Sequence, residues 1–152
     1  MIGGVARVVS GQCSVVSDQE VLMRDFRELD VWHKAHAFTL DLYRITASFP
    51  KDELYGLVSQ LRRAAVSIEA NTAEGCGKKS SLDFRRFLQI AFGSASEIDC
   101  ELLIARDLGF ISERDYGKLV RQIHEIKKML AAFITSIEEK TKTFEPVHAP
   151  EV

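Results

Sequence analysis

Apolar residues recur every three or four positions through most of this chain, a spacing typical of amphipathic helices. The first such segment runs from about Asp30 to Ser48, where Asp30 is a suitable N-cap and Pro50 ends the pattern. Its apolar positions form a heptad-like seam: Val31, Ala35, Phe38, Leu42, Ile45 and Phe49. No segment shows a credible strand pattern, so the sequence predicts an all-α fold.

The second predicted helix, from about Asp52 to Cys76, lacks a charged outer face, and Gly75 and Gly77 are available to end it. Its first face carries Leu54, Leu57, Leu61, Ala65, Ile68 and Thr72. Its back is small or apolar as well: Tyr55, Ser59, Val66, Ala70 and Ala73. A helix of this kind is expected to be covered on both sides, and therefore to have a partner beyond its own domain.

Two longer helices follow. The third is predicted from Ser80 or Ser81 to about Asp107, with Gly109 closing it. It faces inward with Phe84, Leu88, Ala91, Ala95, Ile98, Leu102 and Ala105. Ser112 is expected to cap the fourth. The seam of this last helix is Tyr116, Leu119, Ile123, Ile126, Leu130, Phe133 and Ile137.

Short turns between these helices predict an antiparallel up-down-up-down four-helix bundle. The outer faces differ, because helices one and four carry charges suited to water, whereas helices two and three carry small and apolar residues in their middle. We therefore predict a subunit interface in a homo-oligomer, formed by Tyr55, Ser59, Arg62, Arg63, Val66, Ala70, Ala73, Gly93, Ser96, Cys100 and Ile104. The alternative is that the N-terminal extension folds back over this face.

Composition changes this picture little. With 152 residues, 46% hydrophobic and 28% charged, the chain fits one soluble domain, and its formal charge of −2 argues against a generally basic nucleic-acid binder. We predict a loose extension at 1–25, the bundle at 26–140 and a disordered tail at 141–152; Met23 is a candidate start. Without a signal peptide or a spanning segment, and with three cysteines in no ligand spacing, a cytoplasmic location is expected.

Three segments resemble a known bacterial family, the four-helix-bundle proteins first named for reading frames in intervening sequences of the 23S rRNA gene. They are RELDVWHKAH at 27–36, FPKDELYGLVSQLRRAAVSIEANTAEG at 49–75 and FLQIAFGSASEIDCELLIARDLGFI at 87–111. The resemblance implies bundles that assemble into rings of five. It also implies kinship with accessory proteins of diversity-generating retroelements, which associate with a reverse transcriptase and bind nucleic acid through a basic surface. The sequence pI near 6.1 departs from such a basic protein.

Candidate nucleic-acid contacts cluster where helix two turns into helix three: Lys78, Lys79, Arg85 and Arg86. In a ring, copies of this turn would gather on one rim and attract phosphate backbone. The alternative is a solvated turn, since no aromatic residues interleave to stack on bases.

Helix two also carries a polar stripe: Gln60, Arg63, Ser67, Asn71 and Glu74. This stripe is either a binding edge or, as we favour, a hydrogen-bond ladder between helices or subunits. We expect Arg62 and Arg63 to pair with carboxylates across an interface.

No constellation in the sequence predicts catalysis, a metal or a cofactor. His33 and His36 lack the Glu-x-x-His motifs of bundle di-iron sites and are interpreted as surface residues. Glu97 and Glu101 are expected to meet an Arg on a neighbouring helix, and Cys76 and Cys100 to be small buried residues. We therefore expect a non-enzymatic, multivalent adaptor for nucleic acid or a nucleic-acid enzyme such as a reverse transcriptase; the alternative is a purely protein-binding scaffold.

Overall fold

Four antiparallel helices form the body of the protein in a computed structural model, which describes residues 24–143. They are α1 (Asp30–Thr46), α2 (Leu57–Cys76), α3 (Ser81–Asp107) and α4 (Glu113–Lys142), and short 3-10 turns precede α1 and α2. Each helix packs on its neighbours in the cyclic order α1–α2–α3–α4, with the most extensive contact between α2 and α3. The predicted all-α four-helix architecture is confirmed, and residues 24–143 contain no strand.

A single apolar core runs along the axis of the bundle. The heptad positions predicted from the sequence supply it, because residues spaced by three and four lie on one side of a helix. All seven inward positions predicted on α3 are buried. The largest fully buried side chains are Phe38, Phe84, Leu42, Leu61, Ile68, Leu88, Ile98, Leu102, Leu119, Ile123, Ile126 and Leu130.

The helix ends follow local backbone chemistry. Ser112 Oγ accepts a hydrogen bond from the Asp115 amide at 3.1 Å, which confirms the predicted cap of α4. Gly109 adopts φ +73°, a left-handed conformation that glycine tolerates, and it closes the end of α3 as predicted. At the start of α1 the prediction is wrong: extended Leu29 occupies the N-cap position, and Asp30 is already helical.

The predicted start of α2 at Asp52 is also wrong. A 3-10 turn at Lys51–Glu53 comes first, and the helix begins only at Leu57. The break lies at Gly56, whose ψ of −115° is not helical, and the side chain of Glu53 accepts a hydrogen bond from the Leu57 amide at 3.0 Å. As a result, Leu54 and Tyr55 precede the helix, and both are exposed.

The directions of the four helices determine at which end of the bundle the described part of the chain begins and ends. Because the helices alternate in direction, residues 24 and 143 lie at the same end as the turn between α2 and α3. Arg24 shows this directly, since its guanidinium lies 5.0 Å from the centroid of the Phe84 ring on α3. The predicted extension and tail fall largely outside residues 24–143. Among the described helices, none is long and apolar enough to cross a bilayer.

Candidate functional site

The outer surface of α2 and α3 exposes apolar side chains that the bundle does not cover. Tyr55 is 93% exposed and Val66 46% exposed, in line with the predicted back of helix two. Further half-exposed residues continue this surface: Leu54, Ile90, Leu103 and Ile104. Gly93 lies within it on α3, and a Cβ added there would meet no atom within 4 Å. We call this surface the α2–α3 face; its role as a subunit interface stays a prediction.

A shallow groove between α1 and α2 borders this face. Its floor and walls include Tyr43, Leu54, Val58 and Arg62. Arg62 is held within the chain, because its Nε donates to Thr46 Oγ1 at 3.0 Å and its guanidinium lies 4.5 Å from the Tyr43 ring centroid. Within its own chain Arg62 therefore contacts a hydroxyl and an aromatic ring, and its pairing with a carboxylate across an interface stays a prediction.

Sequence reasoning missed Tyr43 as part of this surface. It assigned the outer side of helix one to water, yet Leu40 and Tyr43 are both exposed on that helix. An apolar residue at each of these two positions, three apart and outside the heptad seam, was the signal that marked a second exposed apolar strip on α1.

A polar groove separates α2 from α3 further along. Gln60, Arg63, Ser67, Ser94 and Glu97 line it. At its centre the hydroxyls of Ser67 and Ser94 lie 2.9 Å apart.

The predicted hydrogen-bond ladder along α2 is therefore present in part. The contact between Ser67 and Ser94 is reinforced by Asn71, whose Nδ2 donates a hydrogen bond to the Ser67 carbonyl at 2.8 Å. Glu74 instead pairs with Lys78 on its own side of the turn at 3.4 Å. Gln60 and Arg63 are exposed and make no side-chain hydrogen bond with other residues of 24–143, so the ladder does not extend to this part of the stripe.

Glu101 lies buried at the same groove with only 5% of its surface exposed. Burial, the charge of Glu97 and a hydrogen bond with Glu97 raise the pKa of Glu101 to about 7, and the charge of Arg63 opposes that rise. Arg63 on the neighbouring helix thus acts on the charge of Glu101. However, within residues 24–143 no ion pair shorter than 4.0 Å joins Arg63 to either glutamate.

The basic turn, defined as Lys78, Lys79, Arg85 and Arg86, is partly neutralised. Lys78 pairs with Glu74 and Arg85 pairs with Glu138, each at 3.4 Å. Lys79 and Arg86 are exposed, and neither has a carboxylate within 4.0 Å among the described residues. The four cations do gather at one end of the bundle, but only two of them are free of an acidic partner there.

Of the cysteines and histidines discussed above, Cys100 departs from its prediction, whereas Cys76, His33 and His36 agree with theirs. Cys76 is buried as expected, whereas Cys100 is exposed, because it stands on the outward side of α3 two residues before inward Leu102. His33 and His36 are surface residues, and His36 Nδ1 lies 2.9 Å from the Glu69 carboxylate. Within residues 24–143, no three His, Cys, Asp or Glu side chains are grouped so that they could hold a metal ion. Cys13 lies outside this range.

Taken together, the fold and this surface define an antiparallel four-helix-bundle protein with an uncovered apolar and polar side. Within that class, the chain belongs to the family of 23S rRNA-intervening sequence proteins, whose family model matches residues 27–132. That match confirms the family predicted from the three sequence segments.

A solved structure shares the fold. It is a protein of unknown function from the S23 ribosomal protein family of Bacteroides thetaiotaomicron, with a TM-score of 0.64 and 24% sequence identity. The alignment covers 69% of this chain and 95% of that one. A search of curated proteins finds no match to this chain.

Proposed function

We propose that the protein is a homo-oligomeric, non-enzymatic adaptor. Copies join through the α2–α3 face, and the basic turns of the assembly hold a nucleic acid or a nucleic-acid enzyme such as a reverse transcriptase. The observation that carries the proposal is the α2–α3 face, where several large apolar side chains are exposed on two neighbouring helices, a feature that marks interaction surfaces. A ring of five is the assembly that the family resemblance favours.

Repetition supplies the affinity in this proposal. Counting only partners within residues 24–143, one basic turn offers two cations without an acidic partner, Lys79 and Arg86, which is a weak phosphate site by itself. Several copies held on one rim bind a single polyanion much more tightly, because each contact after the first is intramolecular. The affinity is then steeply dependent on salt, as each neutralised phosphate releases counterions.

The experiment is a gel shift at low salt with single-stranded RNA and DNA. Replacement of Lys78, Lys79, Arg85 and Arg86 by Glu is expected to abolish the shift without unfolding the protein. A narrower variant, K79E/R86E, leaves both ion pairs of the turn intact and is expected to weaken binding at least tenfold. R121E/K128E makes the same change of charge on exposed positions of α4 and serves as the control. No shift with the unmutated protein would overturn the nucleic-acid part of the proposal.

A second candidate is a scaffold that binds only proteins. The pairing of Lys78 with Glu74 and of Arg85 with Glu138 favours it, because half of the turn's positive charge is already compensated. Affinity purification from the native host with and without nuclease separates the two. A partner that survives nuclease treatment supports the scaffold, and one lost with the nucleic acid supports the adaptor.

A further inference from the structure

Among residues 24–143, the carboxyl of Glu101 has a hydrogen bond only with the equally acidic Glu97. Its Oε2 is buried and accepts no hydrogen bond from any described residue. A buried carboxylate oxygen without a donor is costly, since the group loses hydration and gains nothing in exchange. Glu97 stands one turn earlier on the same helix, so two acidic groups share one polar groove. The groove is therefore short of positive charge.

The charged groups around Glu101 are few. On α3 itself Glu97 disfavours its ionisation, and from α2 only Arg63 favours it. Helix α4 packs on the opposite side of α3, where Lys127 and His124 are engaged with Asp99 at 3.1 Å. Helix α1 makes no contact with α3 among the described elements. Residues 24–143 therefore hold no further cation for this carboxyl.

We propose that the groove between α2 and α3 receives the guanidinium of Arg63 from a second copy of this chain, which pairs with the carboxyl groups of Glu97 and Glu101. This inference rests on the proposed self-association and names the contact within it. Arg63 is the natural donor, because it is exposed and lines this groove, and no carboxylate of residues 24–143 lies within 4.0 Å of it. Among the described residues, one patch thus carries both a cation without an ion pair and two carboxyl groups without a cation within 4.0 Å.

Exposed apolar residues lie within a turn of the charged groove residues on both helices. Val66 lies three residues after Arg63, Ile90 lies one turn before Ser94, and Ile104 lies three residues after Glu101, and all three are exposed. A second copy seated on the groove covers these side chains while its Arg63 reaches the carboxyl pair. Desolvation by the surrounding apolar groups strengthens the ionic contact, as at the centre of protein interfaces.

Formation of this contact releases a proton. Free Glu101 titrates near neutral pH, whereas a guanidinium beside it favours the ionised form. When the second copy docks, the proton on the carboxyl leaves to solvent and the carboxylate pairs with the incoming cation. For a group with a pKa of about 7, the association constant at each contact is expected to be about tenfold higher at pH 8 than at pH 6.

The first test measures self-association of the full chain by sedimentation at pH 6, 7 and 8. We expect the unmutated protein to associate more tightly as pH rises. E101Q removes the titrating group, so it should associate about tenfold more weakly at pH 8 and lose this pH dependence. E139Q changes an exposed glutamate on α4 and should behave like the unmutated protein. All three proteins carry the same histidines, so the comparison isolates Glu101.

The second test pairs two charge reversals at exposed positions. R63E and E97R should each be folded by circular dichroism and largely monomeric alone, because each brings like charges together at the contact. Mixed, they are expected to associate, since Arg63 of the E97R protein meets the intact carboxyl pair of the R63E protein. This recovery cannot arise from a role of either residue within one protomer.

The outcomes separate this contact from the broader proposal. If the unmutated protein associates equally at all three pH values and E101Q associates as well as it does, the contact is wrong and self-association stands. A mixture of R63E and E97R that stays monomeric, while the unmutated protein associates, also overturns it. If the unmutated protein is monomeric at pH 8 at high concentration, both this contact and the proposed assembly fall.

Discussion

The surface shared by α1 and α4 and the surface shared by α2 and α3 are built in opposite ways. Between α1 and α4, charged side chains pair across the helices: Lys34 with Glu125 at 3.1 Å, and Lys118 with Asp41 at 3.0 Å. Between α2 and α3, no ion pair is found among the described residues, although these two helices pack most extensively. Their outer side instead leaves apolar residues half exposed and one buried carboxyl without a donor.

The contrast shows on which side charged residues pair across two helices. Such pairs contribute little stability each, and on this side Gln122 Oε1 is also buried without a donor among the described residues. The α2–α3 face differs because it has unmet needs of two kinds, apolar and ionic. Because both kinds of need occur on one side, a second macromolecule is a better explanation than scattered surface apolar residues, which are common and need no account.

The largest expected effect comes from placing a charge on the uncovered side. V66E should weaken self-association at least about 100-fold, as expected for a charge buried at the centre of an interface. The melting temperature of the protomer should change little, because Val66 is already 46% exposed. T135E makes the same kind of change on the exposed side of α4 and should leave association unaltered. Equal effects of the two, measured by sedimentation, would remove the distinction between the sides.

Replacing a glycine by alanine should change the free energy of unfolding in opposite directions on the two sides of the bundle. A Cβ on Gly75 of α2 would lie 2.8 Å from Cδ2 of Phe84 and 3.0 Å from Cβ of Phe87, so G75A should cost about 1–2 kcal/mol despite better helix propensity. On α4, a Cβ at Gly117 meets only the flexible end of Arg121 at 3.4 Å. G117A should therefore stabilise the protein by about 0.5–1 kcal/mol. Urea denaturation measures both, and a stabilising G75A would contradict the close approach of α2 and α3.

The smallest effect is expected for the paired charges of the α1–α4 side. Asp41 accepts hydrogen bonds from Gln122 at 2.9 Å and Arg44 at 3.0 Å, in addition to its pairing with Lys118. D41N should cost about 1 kcal/mol at pH 7. D107N, on an exposed carboxylate that pairs only with its neighbour Arg106, should cost nothing measurable in the same thermal unfolding experiment.

The pH dependence of the Asp41 effect has a defined sign. Partial burial raises the pKa of Asp41, but hydrogen bonds from Gln122 and Lys118 outweigh it and hold the pKa below the usual value of 3.8. A lowered pKa means that the stabilisation is present above about pH 4 and disappears as pH falls further. The difference between D41N and the unmutated protein should therefore vanish in acid. A difference that persists at pH 2 would contradict the ionic origin of the effect.

Much of the fold could be predicted because heptad spacing determines which side of a long helix is buried. The inward positions of α3 and the seam of α4 follow from spacing alone. The start of α2 could not be predicted from spacing, since it depends on the backbone of Gly56 and on the hydrogen bond that the Glu53 side chain accepts from the Leu57 amide. A pattern of apolar residues cannot detect a local hydrogen bond that competes with the first turn of a helix.

The candidate site could be predicted less well than the fold. The weakly charged outer sides of α2 and α3 correctly located the exposed face, but they gave no reason to separate Glu101 from Glu97. The two differ in burial, since Glu101 is buried in the packed bundle and Glu97 is exposed. Likewise, Arg62 and Arg63 are adjacent in sequence, yet one is held by Thr46 and the other is free to reach a partner. Such differences arise from packing between helices.

The shared location of residues 24 and 143 with the turn between α2 and α3 has a practical consequence. An affinity tag fused to either terminus is tethered at the end of the molecule where Lys79 and Arg86 lie. Its own charges then compete with, or imitate, those of the protein in any assay with a polyanion. A fluorophore or tag introduced at the connection between α3 and α4, near Gly109 and Ser112, is separated from that end by the full length of the helices. It therefore leaves the basic turn unobstructed.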